Sequence, residues 1–291
     1  MNNMRLHFLT SLAIMLLCSA FSHSETQLIK PDSHVKTLTT EDGIRFGIWG
    51  TKVSYPAPTL LVFSATIEES LGDPYYRQCG NSLAELGFLC VSLDLPGHGK
   101  EQRPDEPAGL AAWRYRSDRG EDFVTSFTTR VQKVLDYLIQ EGYTDPKYIA
   151  ACGTSRGGFM ALQTAAIDPR IRATAAFAPV TALMTLREFN GVTNREHVDS
   201  LSLLAQADRL AGKSLWISIG DRDVRVGTDD AIAFARRVTT LSVKQSKDSD
   251  VTLIVQPEAK GHTTPVGAPA LAAAWLERKL MNMTPAPGGQ Q

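Results

Sequence analysis

Short apolar runs alternate with longer amphipathic stretches along this chain. Thr59 to Phe63, Phe88 to Leu93, Tyr148 to Cys152, Ile171 to Phe177, Leu215 to Ile219 and Val251 to Val255 are continuous or nearly continuous apolar segments. Runs of this length suit strands buried on both faces of a parallel sheet. Val35 to Leu38 and Ile44 to Trp49 flank Glu41-Asp42-Gly43, a hairpin signature. Helical patterns lie between the runs. One covers Pro74 to Leu86 and closes at Gly87. A longer one, Glu121 to Gln140, carries Phe123, Phe127, Val131, Val134 and Leu138 three or four residues apart and ends near Gly142. Others cover Gly157 to Ala166, Asp229 to Thr239 and Pro269 to Met281. Strands separated by helix-length segments predict an α/β fold: a doubly wound, mostly parallel sheet with helices on both faces. Lys100 to Gly120 and Ala182 to Gly212 break the pattern and read as irregular cap insertions between core elements. No internal repeat is visible.

Composition narrows this picture. The 291 residues are 43% apolar and 21% charged, enough for one large domain, expected over residues 25–283. A formal net charge of −1 gives no general attraction to nucleic acid or anionic membranes, and no zinc-type spacing or phosphate-binding loop appears. Neither is an expected partner. At the N-terminus, Arg5 and His7 precede the apolar stretch Phe8 to Leu17, and the small residues Ala20, Ser22 and Ser24 follow. This is the layout of a cleavable export signal over residues 1–24, too short to anchor the chain, and it implies a secreted or periplasmic protein. Leu17 is too bulky to precede a lipidated Cys18. The Pro/Gly/Gln-rich residues 284–291 read as a disordered tail. Of the remaining cysteines, Cys90 and Cys152 fall in predicted strands and read as buried thiols. A Cys79–Cys90 bridge is compatible with export but not required by the fold. The oligomeric state is not set by anything in the sequence.

Candidate chemistry centres on Gly153-Thr154-Ser155-Arg156-Gly157, directly after an apolar run. A serine at a strand-to-helix corner between glycines is a way to expose a nucleophile, since the corner forces a strained backbone that neighbours lacking Cβ can accommodate. A serine hydroxyl needs an imidazole to take its proton and an acid to orient that imidazole. Of six histidines, His7 and His23 lie in the export segment, His34 precedes the first strand and His197 lies in an insertion. His98 and His262 each follow a predicted strand. The loop Gly220 to Val226, after the strand Leu215 to Ile219, supplies two carboxylates, Asp221 and Asp223. Serine, acid and His262 then occur in the order Ser…Asp…His.

These residues resemble the α/β-hydrolase superfamily over about Leu38 to Leu280, closest to its dienelactone-hydrolase and prolyl-oligopeptidase-like branch. Gly153-Thr154-Ser155-Arg156-Gly157-Gly158 is similar to that branch's nucleophile elbow with its extra glycine. Gly220, Asp223 and Val226 match its G-x-x-D-x-x-V acid loop, which favours Asp223 over Asp221. Gly261-His262 matches its histidine loop. Asp94-Leu95-Pro96-Gly97-His98-Gly99 matches the turn after its fourth strand, which makes His98 structural. The resemblance implies Ser155, Asp223 and His262 as a catalytic triad, with the Arg156 N–H and an N–H from Ala65 or Thr66 as oxyanion hole. Two departures stand out. Many relatives carry His-Gly where this chain has Ser64-Ala65-Thr66, and dienelactone hydrolases use cysteine where Ser155 stands.

The expected reaction is acyl transfer through a seryl ester, needing no metal or organic cofactor, on a small-molecule carboxylic ester. The alternative is a peptidase or amidase of prolyl-oligopeptidase type. Such peptidases usually carry a β-propeller ahead of the hydrolase domain, and only some 30 residues precede the first strand here. A non-catalytic binding module on this fold typically loses a triad member, whereas all three are present. Arg103, Arg114, Arg116 and Arg119 in the first insertion are candidates for an acidic substrate or for a salt-bridged loop. Trp113 and Phe189 are candidates for pocket lining or core packing.

Overall fold

The computed structural model describes residues 35–50 and 53–281. The expected export signal, the domain limits at 25 and 283 and the tail 284–291 lie outside the described residues. Eight strands form one sheet: β1 (Lys36–Thr39), β2 (Arg45–Trp49), β3 (Ala57–Phe63), β4 (Leu89–Ser92), β5 (Thr144–Thr154), β6 (Ile171–Phe177), β7 (Ser214–Gly220) and β8 (Asp250–Gln256). Their order is β1-β2-β4-β3-β5-β6-β7-β8, with β1, β2 and β4 meeting antiparallel and every pair from β4 to β8 parallel. The chain steps outward from β3 to β4, then crosses back to β5 on the other side. The gap above β3 and β5 is therefore the topological switch point, where doubly wound folds open a crevice.

Both faces of the central strands are covered, which is why those strands read as unbroken apolar runs. Along β3, Leu61 and Phe63 enter one core while Leu60 and Val62 enter the other; Ile149 and Ala151 alternate with Ala150 and Cys152 in the same way along β5. The first core is closed by α4 (Leu110–Asp118), α5 (Phe123–Gln140), α6 (Arg156–Ile167), α7 (Arg195–Leu201) and α8 (Thr228–Lys244). The second is closed by α1 (Ile67–Gly72), α3 (Cys79–Ala84) and α9 (Ala268–Met281). In α5, Phe123, Phe127, Val131, Val134 and Leu138 are all buried, as their spacing predicts, and Asp122 caps its first turn through Thr125 N–H.

Four features depart from the expected elements. The helix predicted over Pro74 to Leu86 is broken: α2 (Pro74–Arg77) starts at an Asp73 cap, and Gln78, at φ +51°, turns the chain before α3. A further helix, α1, precedes it, capped by Thr66 Oγ1 accepting from Glu69 N–H. β5 begins four residues early because Thr144 pairs with Ala57 across an irregularity in the ladder. The two insertions contain α4 and α7, and they are tied together. Arg114 donates to the Asn190 and Gly191 carbonyls at 2.7 and 2.6 Å, and Thr193 Oγ1 donates to Asp118.

Cys79, Cys90 and Cys152 are buried and free, so the Cys79–Cys90 bridge does not form. Cys79 instead lies against Cys152, and burial raises the Cys152 thiol well above its ordinary range. Among the described residues no helix is long and apolar enough to cross a membrane.

Candidate active site

β5 delivers Ser155 to the corner before α6 with φ +56°, in the left-handed region that costs a non-glycine residue about 1–2 kcal/mol. Its surroundings hold it there. Ser155 N–H donates to the Phe177 carbonyl at 2.8 Å, while its own carbonyl accepts from Phe159 and Val180. A Cβ at Gly157 would collide with the Phe63 carbonyl, and one at Gly153 with the backbone of Gly157. The motif's glycines are thus required by close packing of the elbow against β3.

The loop after β7 carries Asp223 inward. It is 1% exposed, and its Oδ1 accepts from the backbone N–H groups of Arg225 and Val226 at 3.0 and 3.2 Å. Oδ2 lies 2.7 Å from Nδ1 of His262, on the loop after β8. A carboxylate can only accept there, so Nδ1 carries the proton and Nε2 is left as an acceptor. Ser155 Oγ lies 3.0 Å from that Nε2 and donates to it. Asp221 points elsewhere: it is exposed, accepts from Glu258 N–H at 3.1 Å and pairs with Arg222.

A cavity of about 140 Å3 opens above Ser155, lined by Ser64, Glu69, Tyr75, Tyr76, Arg156 and His262 among others. That is close to the roughly 150 Å3 that holds a benzene-sized ring. Ser64 lines it, but its N–H is spent on Ser70 Oγ. Ala65 and Thr66 follow, and among the described residues their N–H groups have no acceptor, nor does the Arg156 N–H at the first turn of α6. The loop is clamped by Asp94, whose Oδ1 accepts from Ile67 N–H at 2.8 Å and whose Oδ2 accepts from Lys100 N–H.

His98 is brought elsewhere. Its Nδ1 donates to the Pro96 carbonyl at 2.9 Å, and its Nε2 accepts from the Arg156 guanidinium at 3.0 Å. Burial, reinforced by the Arg156 charge, pushes its pKa down to about 4. The insertion arginines are committed internally: Arg103 to Glu121, Arg114 to Asp118, Arg116 to buried Glu106, and Arg119 over the Tyr115 ring. This is the salt-bridged loop rather than an anion site. Trp113 and Phe189 are fully buried; Trp113 donates to the Pro96 carbonyl and stacks on Phe123, so both are core residues. Sequence reasoning missed Glu69, Tyr75 and Tyr76, which reach the cavity from the broken helical segment, and the Arg156 side chain. Among the described residues no group of three His, Cys, Asp or Glu is placed to hold a metal ion.

A family model for the prolyl oligopeptidase family matches residues 128–281, more than half of the chain and all of Ser155, Asp223 and His262. The chain belongs to the prolyl oligopeptidase family. Its fold is the α/β-hydrolase fold. Among curated relatives, hydrolyase poxO of Penicillium oxalicum (strain 114-2 / CGMCC 5302) is 29% identical over 124 residues, covering 43% of this chain but only 27% of poxO. The match thus spans about a quarter of that relative's length. Solved structures of similar fold include a cold-adapted esterase from an Arctic intertidal metagenomic library, with a TM-score of 0.59 and 16% identity over 86% of this chain and 97% of the esterase. An acylaminoacyl peptidase bound to a chloromethyl ketone gives a TM-score of 0.61 and 16% identity, covering 87% of this chain and 43% of the peptidase.

Proposed function

We propose that this member of the prolyl oligopeptidase family is an exported serine hydrolase of small carboxylic esters. The hydrogen-bonded line Ser155 Oγ–His262 Nε2–Asp223 Oδ2, at 3.0 and 2.7 Å, carries the reading. His262 takes the Ser155 proton as Oγ attacks the ester carbonyl. Asp223 holds the imidazole in the tautomer that leaves Nε2 free and stabilises the imidazolium that forms. The oxyanion is received by the Arg156 N–H and by that of Ala65 or Thr66. His262 then protonates the departing alcohol, activates a water against the seryl ester and returns the proton to Ser155. The compact cavity favours short acyl groups and small leaving groups. The apolar N-terminal segment with its flanking Arg5 and small residues supports export.

Labelling with a fluorophosphonate tests the mechanism: wild type is expected to label and Ser155→Ala not. An unlabelled wild type, or equal labelling of both, would sink it. Membership of the prolyl oligopeptidase family favours peptide or amide cleavage as the second reading. Matched p-nitrophenyl esters and p-nitroanilides separate the two, with ester turnover expected to dominate.

A further inference from the structure

Arg156 contributes more to the cavity than its backbone N–H. Arg156 lines the same space as Ser155 and His262, its charge acts on the lining residue Tyr76, and it is the arginine among the lining residues. Other partly buried arginines of the molecule face carboxylates: Arg116 has Glu106 at 2.6 Å, Arg225 has Glu188 at 2.8 Å and Arg170 has Asp168 at 2.6 Å. Arg156 forms no ion pair among the described residues. Among the described residues its side chain hydrogen-bonds to His98 Nε2, and that ring is neutral. The Nδ1 proton is fixed on the Pro96 carbonyl, and Trp113 packs against the ring edge while donating to the same carbonyl.

This arrangement steers a guanidinium without neutralising it. One of its five N–H groups is engaged by a neutral acceptor, which leaves donors of the planar fork for an incoming group. A cation kept unpaired beside a partly desolvated nucleophile costs free energy unless the ligand supplies the counter-charge. The ligand that matches a guanidinium fork is a carboxylate, through two parallel charge-assisted hydrogen bonds.

We propose that Arg156 is a specificity-determining residue that docks a carboxylate on the substrate, making the preferred substrates half-esters or other esters that carry a free acid. This rests on the serine-hydrolase reading of the same site. Glu69 sets the limit on it. Glu69 also lines the cavity, its Oε1 is buried without a hydrogen-bond partner, and it forms no ion pair with Arg156. Tyr76 feels both groups, its phenol being raised by burial and by Glu69 and lowered by Arg156. An anion is therefore drawn to the Arg156 side of the cavity and repelled from the Glu69 side.

The test compares three p-nitrophenyl esters of similar length: valerate (neutral), hydrogen glutarate (anionic) and 5-aminovalerate (cationic). A second pair, phenyl acetate and 4-acetoxybenzoate, moves the carboxylate to the leaving group. Wild type is expected to favour the anionic member of at least one pair by about tenfold or more in kcat/KM, the scale of a hydrogen-bonded charge pair. Arg156→Gln is expected to erase that ratio, Arg156→Lys to keep part of it, and Glu69→Gln to raise it. Because each ratio is taken within one variant, losses common to both esters cancel. No anionic preference in wild type, or an undiminished one in Arg156→Gln, overturns the proposal. So does a preference for the cationic ester that Glu69→Gln removes. Fluorophosphonate labelling of the same preparations keeps the two ideas apart. Labelled enzyme that turns over neutral esters without anionic preference overturns only the role of Arg156, whereas unlabelled, inactive wild type overturns the serine-hydrolase reading.

Discussion

His98 should make the fold acid-sensitive in a defined window. Its pKa falls from an ordinary 6.5 to about 4, first through burial and then through the Arg156 charge; Arg116 adds a smaller push in that direction, while the Pro96 carbonyl and Asp94 oppose it. Unfolded, the imidazole takes up a proton below pH 6.5; folded, it stays neutral until about pH 4. The unfolded chain therefore binds more protons in between, and stability falls as the pH falls. The depressed pKa costs nothing above pH 6.5 and its full penalty is reached below pH 4. The gap of roughly 2.5 units corresponds to about 3 kcal/mol, with about half of it lost near pH 5.3. His98→Gln removes the titration while keeping an acceptor for Arg156 and a donor for Pro96. Urea unfolding of both proteins at intervals from pH 8 to pH 4 gives a difference curve free of the carboxylates they share. Wild type should lose about 3 kcal/mol relative to the variant across that range, nearly all of it below pH 6.5. A flat difference curve, or one that rises toward acid, would refute the burial of a neutral His98 beside Arg156.

Three further outcomes follow from the geometry. Asp223→Asn should lower kcat by about 10³–10⁴-fold, because an amide cannot hold the His262 tautomer, whereas Asp221→Asn at the exposed position should change it little; comparable losses in steady-state assays would reassign the acid. Glu106→Gln strips the counter-charge from buried Arg116 and should cost about 3 kcal/mol in urea unfolding, against less than about 0.5 kcal/mol for removal of the exposed Glu41 carboxylate. Gly157→Ala should give insoluble or unfolded protein by circular dichroism, since the added methyl has nowhere to go but into the Phe63 carbonyl; a folded, active variant would contradict the packing of the elbow.

The parallel core was legible because its strands are apolar on both faces, and α5 because a single face of it is buried. The triad was legible because Ser155, Asp223 and His262 sit on loops after successive strands, where chain order carries the geometry. What escaped had physical causes. α4 buries Arg116 against Glu106, so one of its inward positions looks like a surface position in the sequence. The segment from Ile67 to Ala84 is apolar enough for one helix, but Asp73 as a cap and the left-handed Gln78 divide it into three. That division turns Tyr75 and Tyr76 toward the cavity, and no periodicity signals a turn of that kind. The Arg156 side chain carries no such signal, because the residue after a nucleophile offers its backbone N–H whatever its side chain is.

The sheet order bears on how this protein comes to be active. Ser155 stands over the centre of the sheet, but the imidazole it needs hangs from the loop after β8, an edge strand and the last described strand in chain order. β1 through β7 and the loops that follow them carry the nucleophile and its acid, but not the base. The proposed triad is thus completed only where that edge strand is docked on the sheet, because its base hangs from the loop that follows.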